Sequence, residues 1–151
     1  MDNSGLTVRK IGSEEKEQVK EVFLPVFTDE PWYDDWSDPE QLDLYLMDLM
    51  GQGYSLAFGL FDGEELIGAS LGYVKHWYSG TEYCIDELFI ANQRQGKGLG
   101  TFFLGEIEKA VREMGLFQIF LLTDRDAPAY DFYRKNGYTE IPENTAFWKK
   151  V

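Results

Sequence analysis

Apolar residues recur along this chain at two periods, and the changes of period mark its elements. Leu6-Thr7-Val8-Arg9-Lys10-Ile11 alternates and predicts a first strand. Ser13 with Glu14 to Glu17 predicts a helix start, followed by the helical stripe Val19, Val22, Phe23 and Val26, with a kink or an early end at Pro25. Ser37 or Asp38 is placed to cap a second helix, with Pro39 in its first turn, Leu42, Tyr45, Leu46 and Leu49 on its apolar face and Gly51 at its end. Tyr54 to Phe61 and Leu66 to Trp77 read as strands about a hairpin turn, Asp62-Gly63-Glu64-Glu65. Gly68 and Gly72 interrupt the second of them and mark bulges or close packing. Thr81 to Ile90 is the next strand. A helix follows on Leu99, Phe103, Ile107, Val111 and Met114, then a buried strand over 117–123 and a short helix from Ala127 to Lys135. Gly137 to Ile141 and Ala146 to Lys150 predict two last strands.

The order β-α-α-β-β-β-α-β-α-β-β predicts an α/β or α+β fold, a mixed sheet with helices on its faces. The length of 151 residues suits a single domain, 1–151, with one sizeable core, and a hydrophobic content of 44% fits a folded protein. No apolar run approaches the roughly 20 residues of a membrane span. The N-terminus lacks the basic and apolar regions of a signal peptide. One cysteine, Cys84, excludes an internal disulfide, and these features together predict a cytoplasmic protein.

Charge changes the picture. The net charge is −13, yet residues 1–90 hold 19 acids and 5 bases while residues 91–151 hold 8 acids and 9 bases. A nucleic-acid partner is disfavoured by repulsion. The asymmetry points to an anionic cofactor on the C-terminal side and a cationic substrate on the N-terminal side. Between Asp29 and Asp48 lie eight acids and no base. The loop Trp32-Tyr33-Asp34-Asp35-Trp36 mixes carboxylates with large aromatics, a pairing suited to an amine through ion pairs and cation–π contacts. Taken singly, each of these residues is more simply a packed aromatic or a solvated acid. The loop as a whole reads as a substrate wall.

The chemistry concentrates in residues 85–104. Leu88-Phe89-Ile90 ends a strand, and a polar glycine-spaced loop with Arg94 and Lys97 and no acid leads into the helix at Leu99. Glycine lets backbone approach a ligand, the unpaired first amides of a helix attract anions, and Arg94 and Lys97 are expected to add full charges, so a phosphate or pyrophosphate is well placed here. The Gly-x-x-x-x-Gly-Lys-Ser/Thr and Gly-x-Gly-x-x-Gly signatures are both absent. What remains, Gln95-x-x-Gly98-x-Gly100, resembles the Gln/Arg-x-x-Gly-x-Gly/Ala loop of the GCN5-related N-acetyltransferase (GNAT) superfamily. A second stretch, Ala129-Tyr130-Asp131-Phe132-Tyr133 running to Gly137-Tyr138, resembles that superfamily's Asn-x-x-Ala-x-x-Phe/Leu-Tyr-x-x-x-Gly-Phe segment. Asp126 stands where Asn is common and Tyr138 where Phe is usual.

The resemblance implies a GNAT fold and acetyl-CoA as cosubstrate. It implies that the backbone of Leu88, Phe89 and Ile90 pairs with the pantetheine arm like an added strand, and that a backbone N–H there holds the oxyanion. Gln95, Gly96, Lys97, Gly98, Leu99, Gly100 and Thr101 would hold the pyrophosphate, with Asp126 a further cofactor contact and Tyr133 the acid that protonates the departing thiolate. An alkylammonium, with a pKa of about 10.4, must lose a proton before it attacks. Neighbours on a strand point to opposite faces, so one of Asp86 and Glu87 is expected to reach the acetyl group, with Asp86 the preferred acceptor and Glu87 the reserve. Cys84 and His76 suggest neither a nucleophilic pair nor a metal cluster.

The run from Ile85 to Thr101 is also similar to that of some aminoglycoside 6'-N-acetyltransferases, which implies a role in antibiotic resistance. The expected activity is N-acetylation of a small cationic amine, an aminoglycoside or a polyamine. A protein or peptide amine is the second acceptor class. A non-catalytic acyl-CoA sensor is the alternative from another class, and a phosphate-binding module of another fold the remote one. The superfamily is often dimeric, so the resemblance allows a homodimer; no membrane partner is expected.

Overall fold

Residues 2–151 are described by a computed structural model; Met1, part of the expected domain 1–151, lies outside the described residues. Strands β1 (Leu6–Ile11), β2 (Ser55–Asp62), β3 (Glu65–Trp77) and β4 (Gly80–Ile90) pair antiparallel in sequence, and β5 (Gln118–Leu121) joins β4 in parallel. The result is one mixed sheet in the order β1-β2-β3-β4-β5. Helices α1 (Lys16–Thr28) and α2 (Pro39–Met50) cover one face, and α3 (Leu99–Glu113) covers the other; α4 (Pro128–Lys135) follows β5.

The hydrophobic periods produce this layering. On one face Val19, Phe23, Val26 and Phe27 of α1 and Leu42, Leu46 and Leu49 of α2 pack on Ala57, Phe61, Ala69, Leu71 and Phe89 of the sheet. On the other, Leu99, Phe103, Ile107 and Val111 of α3, spaced at helical period, pack on Phe58, Leu60, Tyr83 and Ile85. Asp38 caps α2 by accepting from the amides of Glu40 and Gln41, with Pro39 in the first turn as expected.

Two expectations are corrected. α1 runs through Pro25 to Thr28, because Val26 and Phe27 are buried beyond it and their burial offsets the lost backbone bond. The two last strands, 137–141 and 146–150, do not form. Tyr138 donates to Glu108 at 2.8 Å, and Glu140 accepts from Tyr130 at 2.7 Å, so this part of the chain is held by side chains. From Ile141 onward every residue is exposed, Phe147 at 91% and Trp148 at 82%. Strand-like residues make a strand only where a partner edge and a buried face meet them.

Both glycines of β3 mark irregularities. Ile67, beside Gly68, is an extra residue against β2, and a side chain at Gly68 would meet the Phe89 carbonyl at 2.9 Å. Gly72 lies opposite the extra residue of β4, where a side chain would run into the Cys84 carbonyl oxygen. Gly72→Ala should therefore cost about 3 kcal/mol or more and lower Tm by at least about 6 °C. Gly53→Ala, with open space around it, should change Tm little; scanning calorimetry on the two variants checks the contrast.

Candidate active site

The register of β4 places the site. Leu71 pairs with Glu87 and Gly72 with Ile85, so Asp86 is an extra residue, a β-bulge. One extra residue inverts the alternation of side chains. Before it, Tyr83 and Ile85 face α3; after it, Phe89 faces α1 and α2, while Leu88 and Ile90 face α3. Glu87 is thereby turned onto the α2 face, where the Tyr45 hydroxyl donates to its Oε1 at 2.7 Å.

At the same point β4 loses its second neighbour. β5 pairs with β4 only from Glu82 to Ile85. From Asp86 to Ile90 the β5-side edge of β4 is open while the β3 side stays paired. The Ala91 amide bonds to Ile67 on the β3 side at 2.8 Å, and polar groups alternate along a strand, so those of Leu88 and Ile90 face the open edge. The Gln95 side-chain amide already donates to the Ile90 carbonyl there, at 2.9 Å, which pins the following loop to the strand end.

That loop ends on the N-terminus of α3. Gly96 and Gly98 have φ of 76° and 77°, the left-handed region that favours glycine, and Gly98 is the residue from which the helix starts. Leu99 is buried and anchors the helix, whereas Lys97 and Thr101 are exposed. Gly100 permits close approach of α4, since a side chain there would meet the Phe132 ring at 3.1 Å. The first amides of α3 have no partner inside the helix, an arrangement that favours an anion. Arg94 does not supply the expected charge. Its guanidinium is paired to Asp62 at 2.8 Å and Glu65 at 3.3 Å, so it fastens the loop to the β2–β3 hairpin.

Tyr133 lies on α4 between the rings of Phe132 and Tyr138, at centroid distances of 5.2 and 5.5 Å. Burial, with a smaller contribution from the Glu87 carboxylate, holds its hydroxyl well above the ordinary tyrosine range and so protonated. Asp126 is exposed in the turn that precedes α4.

The aromatic and acidic residues of the loop before α2 divide their tasks. Trp32 packs on Phe27 at 5.9 Å; Trp36 stacks on Tyr45 at 5.2 Å and meets Phe23 edge-on at 5.6 Å. Tyr33, 69% exposed, adopts a φ of 50°, strained for an aromatic residue. Asp35 accepts from the Ser37 amide at 3.0 Å. Asp34 is exposed, yet its charge reaches Tyr45 and Glu87.

The carboxylates differ in setting. Burial pushes Glu87 up to about 7; Tyr45's hydrogen bond opposes this, and Asp34 and Asp86 add to it. Asp86, exposed at the bulge, is raised by burial of part of its surface. Cys84 donates to Glu82 at 3.8 Å and His76 meets Thr81 at 3.3 Å, so the two do not pair with each other. Among the described residues no group of three His, Cys, Asp or Glu is placed to hold a metal, and no helix is long and apolar enough to cross a membrane. In the sequence Tyr45 shows only as part of the apolar face of α2, and nothing local links it to a glutamate 42 residues away.

Comparisons with known proteins bear on the family and the fold. The model of the acetyltransferase (GNAT) family matches residues 17–138. No curated protein sequence matches the chain. Among solved structures, the aminoglycoside acetyltransferase meta-AAC0020 from an uncultured soil metagenomic sample, in complex with sisomicin, is similar at 20% identity and a TM-score of 0.77, over 99% of this chain and 98% of that one. Aminoglycoside N-acetyltransferase AAC(6')-Iy in complex with CoA gives 12% and 0.73, over 96% and 94%. A transcriptional regulator from Bacillus halodurans C-125 gives 17% and 0.73, over 97% and 99%. At such identities the likeness is one of fold.

The raised Glu87 carries a stability signature that is independent of activity. Its folded-state value lies above the ordinary 4.5, so its contribution is unchanged below about pH 4.5 and is lost as pH rises through about 7. Glu87→Gln removes that loss. The variant should match the wild type near pH 4 and exceed it by up to about 3 kcal/mol at pH 8, read by denaturant titration at both pH values. A gap that stays constant with pH would contradict the burial of this carboxylate.

Proposed function

The chain belongs to the acetyltransferase (GNAT) family, and on that premise we propose that it moves the acetyl group of acetyl-CoA to a primary amine of a small cationic molecule. The observation that carries this reading is the open edge of β4 over 86–90, with Glu87 turned to one side of it and the amino end of α3 beyond its end. The pantetheine arm would pair with Leu88, Phe89 and Ile90 as an added strand. The pyrophosphate would rest on the amides from Gln95 to Thr101, with Lys97 as the free charge and Asp126 at the rim. The Leu88 N–H, on the open side, would hold the carbonyl oxygen as charge develops on it.

The amine arrives as an ammonium. Glu87 takes its proton, directly or through water, and the nitrogen lone pair forms the N–C bond. Collapse of the tetrahedral intermediate breaks the C–S bond. Tyr133 gives its proton to the sulfur and is restored by the proton left on nitrogen. Burial and a fixed hydrogen bond favour Glu87 as the acceptor, with Asp86 the second candidate. A value of about 7 suits a base working near neutrality, so turnover should rise with pH through that region.

The substrate side is acidic. Asp34 and Asp35 with Trp32, Tyr33 and Trp36 form the wall that would meet the cation. An aminoglycoside or polyamine fits this charge, and the fold shared with two aminoglycoside acetyltransferases favours the former. A protein or peptide amine is the second acceptor class, and a non-catalytic acyl-CoA sensor the reading from another class.

Release of CoA from acetyl-CoA, followed with a thiol reagent across aminoglycosides, polyamines, small amines and lysine peptides, tests the proposal. Turnover is expected on a polycationic small molecule. Tyr133→Phe should lower kcat about 10- to 100-fold with little change in KM for acetyl-CoA, and Glu87→Gln about 100-fold or more near pH 7. Acetyl-CoA binding by calorimetry with silence across the panel would move the assignment to the sensor.

A further inference from the structure

We propose that Tyr45 is a positioning residue for acetyl transfer, fixing the Glu87 carboxylate so that its second oxygen points to the incoming amine. The inference rests on the reading of Glu87 as the proton acceptor. Its ground is a single contact between distant parts of the chain: the Tyr45 hydroxyl of α2 donates to Glu87 Oε1 of β4 at 2.7 Å, across the face where the bulge at Asp86 has turned the glutamate. Oε2 is left for a second donor.

The tyrosine is itself immobilised. Its ring stacks on Trp36 at 5.2 Å with 20° between planes and meets Phe23 at 6.3 Å; Phe23 in turn meets Phe89 at 5.6 Å, two residues beyond Glu87 on β4. The aromatic chain Trp36-Tyr45-Phe23-Phe89 therefore ties the acidic loop, α2, α1 and β4 into one body around the carboxylate. A phenol so held keeps the carboxylate in one rotamer, and pre-fixed geometry is what a proton acceptor needs.

The neighbours of Glu87 make the hydrogen bond matter electrostatically too. The charges of Asp34 in the loop and Asp86 on its own strand reach Glu87, and the charge of Glu87 reaches the Tyr133 hydroxyl of α4; none of these groups supplies positive charge. Burial and both aspartates favour the protonated acid, and the Tyr45 hydroxyl favours the ionised base. Removing the donor shifts this balance toward the acid.

Tyr45→Phe keeps the ring and its stacking and deletes only the oxygen. In the free protein labelled with 13C at glutamate side chains, an NMR titration should place the Glu87 midpoint near 7 in the wild type and about 1 to 2 pH units higher in Tyr45→Phe. The acidic limb of the pH–rate profile, on whichever panel amine is turned over, should move by the same amount, with KM for acetyl-CoA unchanged. Trp36→Leu, which leaves the hydroxyl in place, should move the midpoint less. Superimposable titrations for wild type and Tyr45→Phe would overturn the proposal, as would a shift to lower pH. Wild-type turnover in Glu87→Gln would instead remove the proton-acceptor reading, a failure distinct from an unshifted Tyr45→Phe.

Discussion

One extra residue in β4, Asp86, is the constraint on which the site depends. Without it the alternation set by Tyr83 and Ile85 would continue, and Glu87 would point into the apolar layer beneath α3. With it, Glu87 meets Tyr45, Phe89 joins the aromatic cluster of α1 and α2, and Leu88 and Ile90 return to the α3 side. The bulge is accommodated because the opposing residue is Gly72, whose missing side chain leaves room for the Cys84 carbonyl. The parting of β4 from β5 after Ile85 begins at the same place. A change of side-chain phase and an open backbone edge are thus produced together.

The electrostatics follow from that geometry. Turning a carboxylate toward an aromatic cluster raises the cost of its charge, and among the described residues the relief comes from the Tyr45 phenol. Such a group gives up its advantage as a solvated acid and gains one as a base near neutral pH. The positive end lies elsewhere, in the left-handed glycines and free amides that open α3. The excess of acid in residues 1–90 surrounds the first region, and the near balance of residues 91–151 surrounds the second.

The sequence made the layered α/β plan legible because strand and helix periods are strong in this chain. Leu99, Phe103, Ile107 and Val111 recur at helical period and face one layer, and Ser37 or Asp38 with Pro39, ahead of Leu42, Tyr45, Leu46 and Leu49, fits a helix start. The glycine loop was legible for the same reason: its backbone demands are written in residue type. Four things were not. The end of α1 depended on burial of Phe27, which only the tertiary fold decides. The last two segments carry strand-forming residues yet remain exposed, since pairing needs a partner edge as well as propensity. Arg94 read as a free cation because Asp62 and Glu65 lie about 30 positions earlier. The Tyr45–Glu87 contact was hidden likewise, and with it the difference between two adjacent carboxylates that look alike in the sequence.

The central claim is that the open edge of β4 and the start of α3 together receive acetyl-CoA. Amide hydrogen exchange, followed with and without acetyl-CoA, tests it most directly. The account predicts slowed exchange at Leu88 and Ile90 and across Gln95 to Thr101, with β1 and β2 unchanged. Slowing confined to other segments, with the amides of 88–101 exchanging as in the free protein, would contradict it.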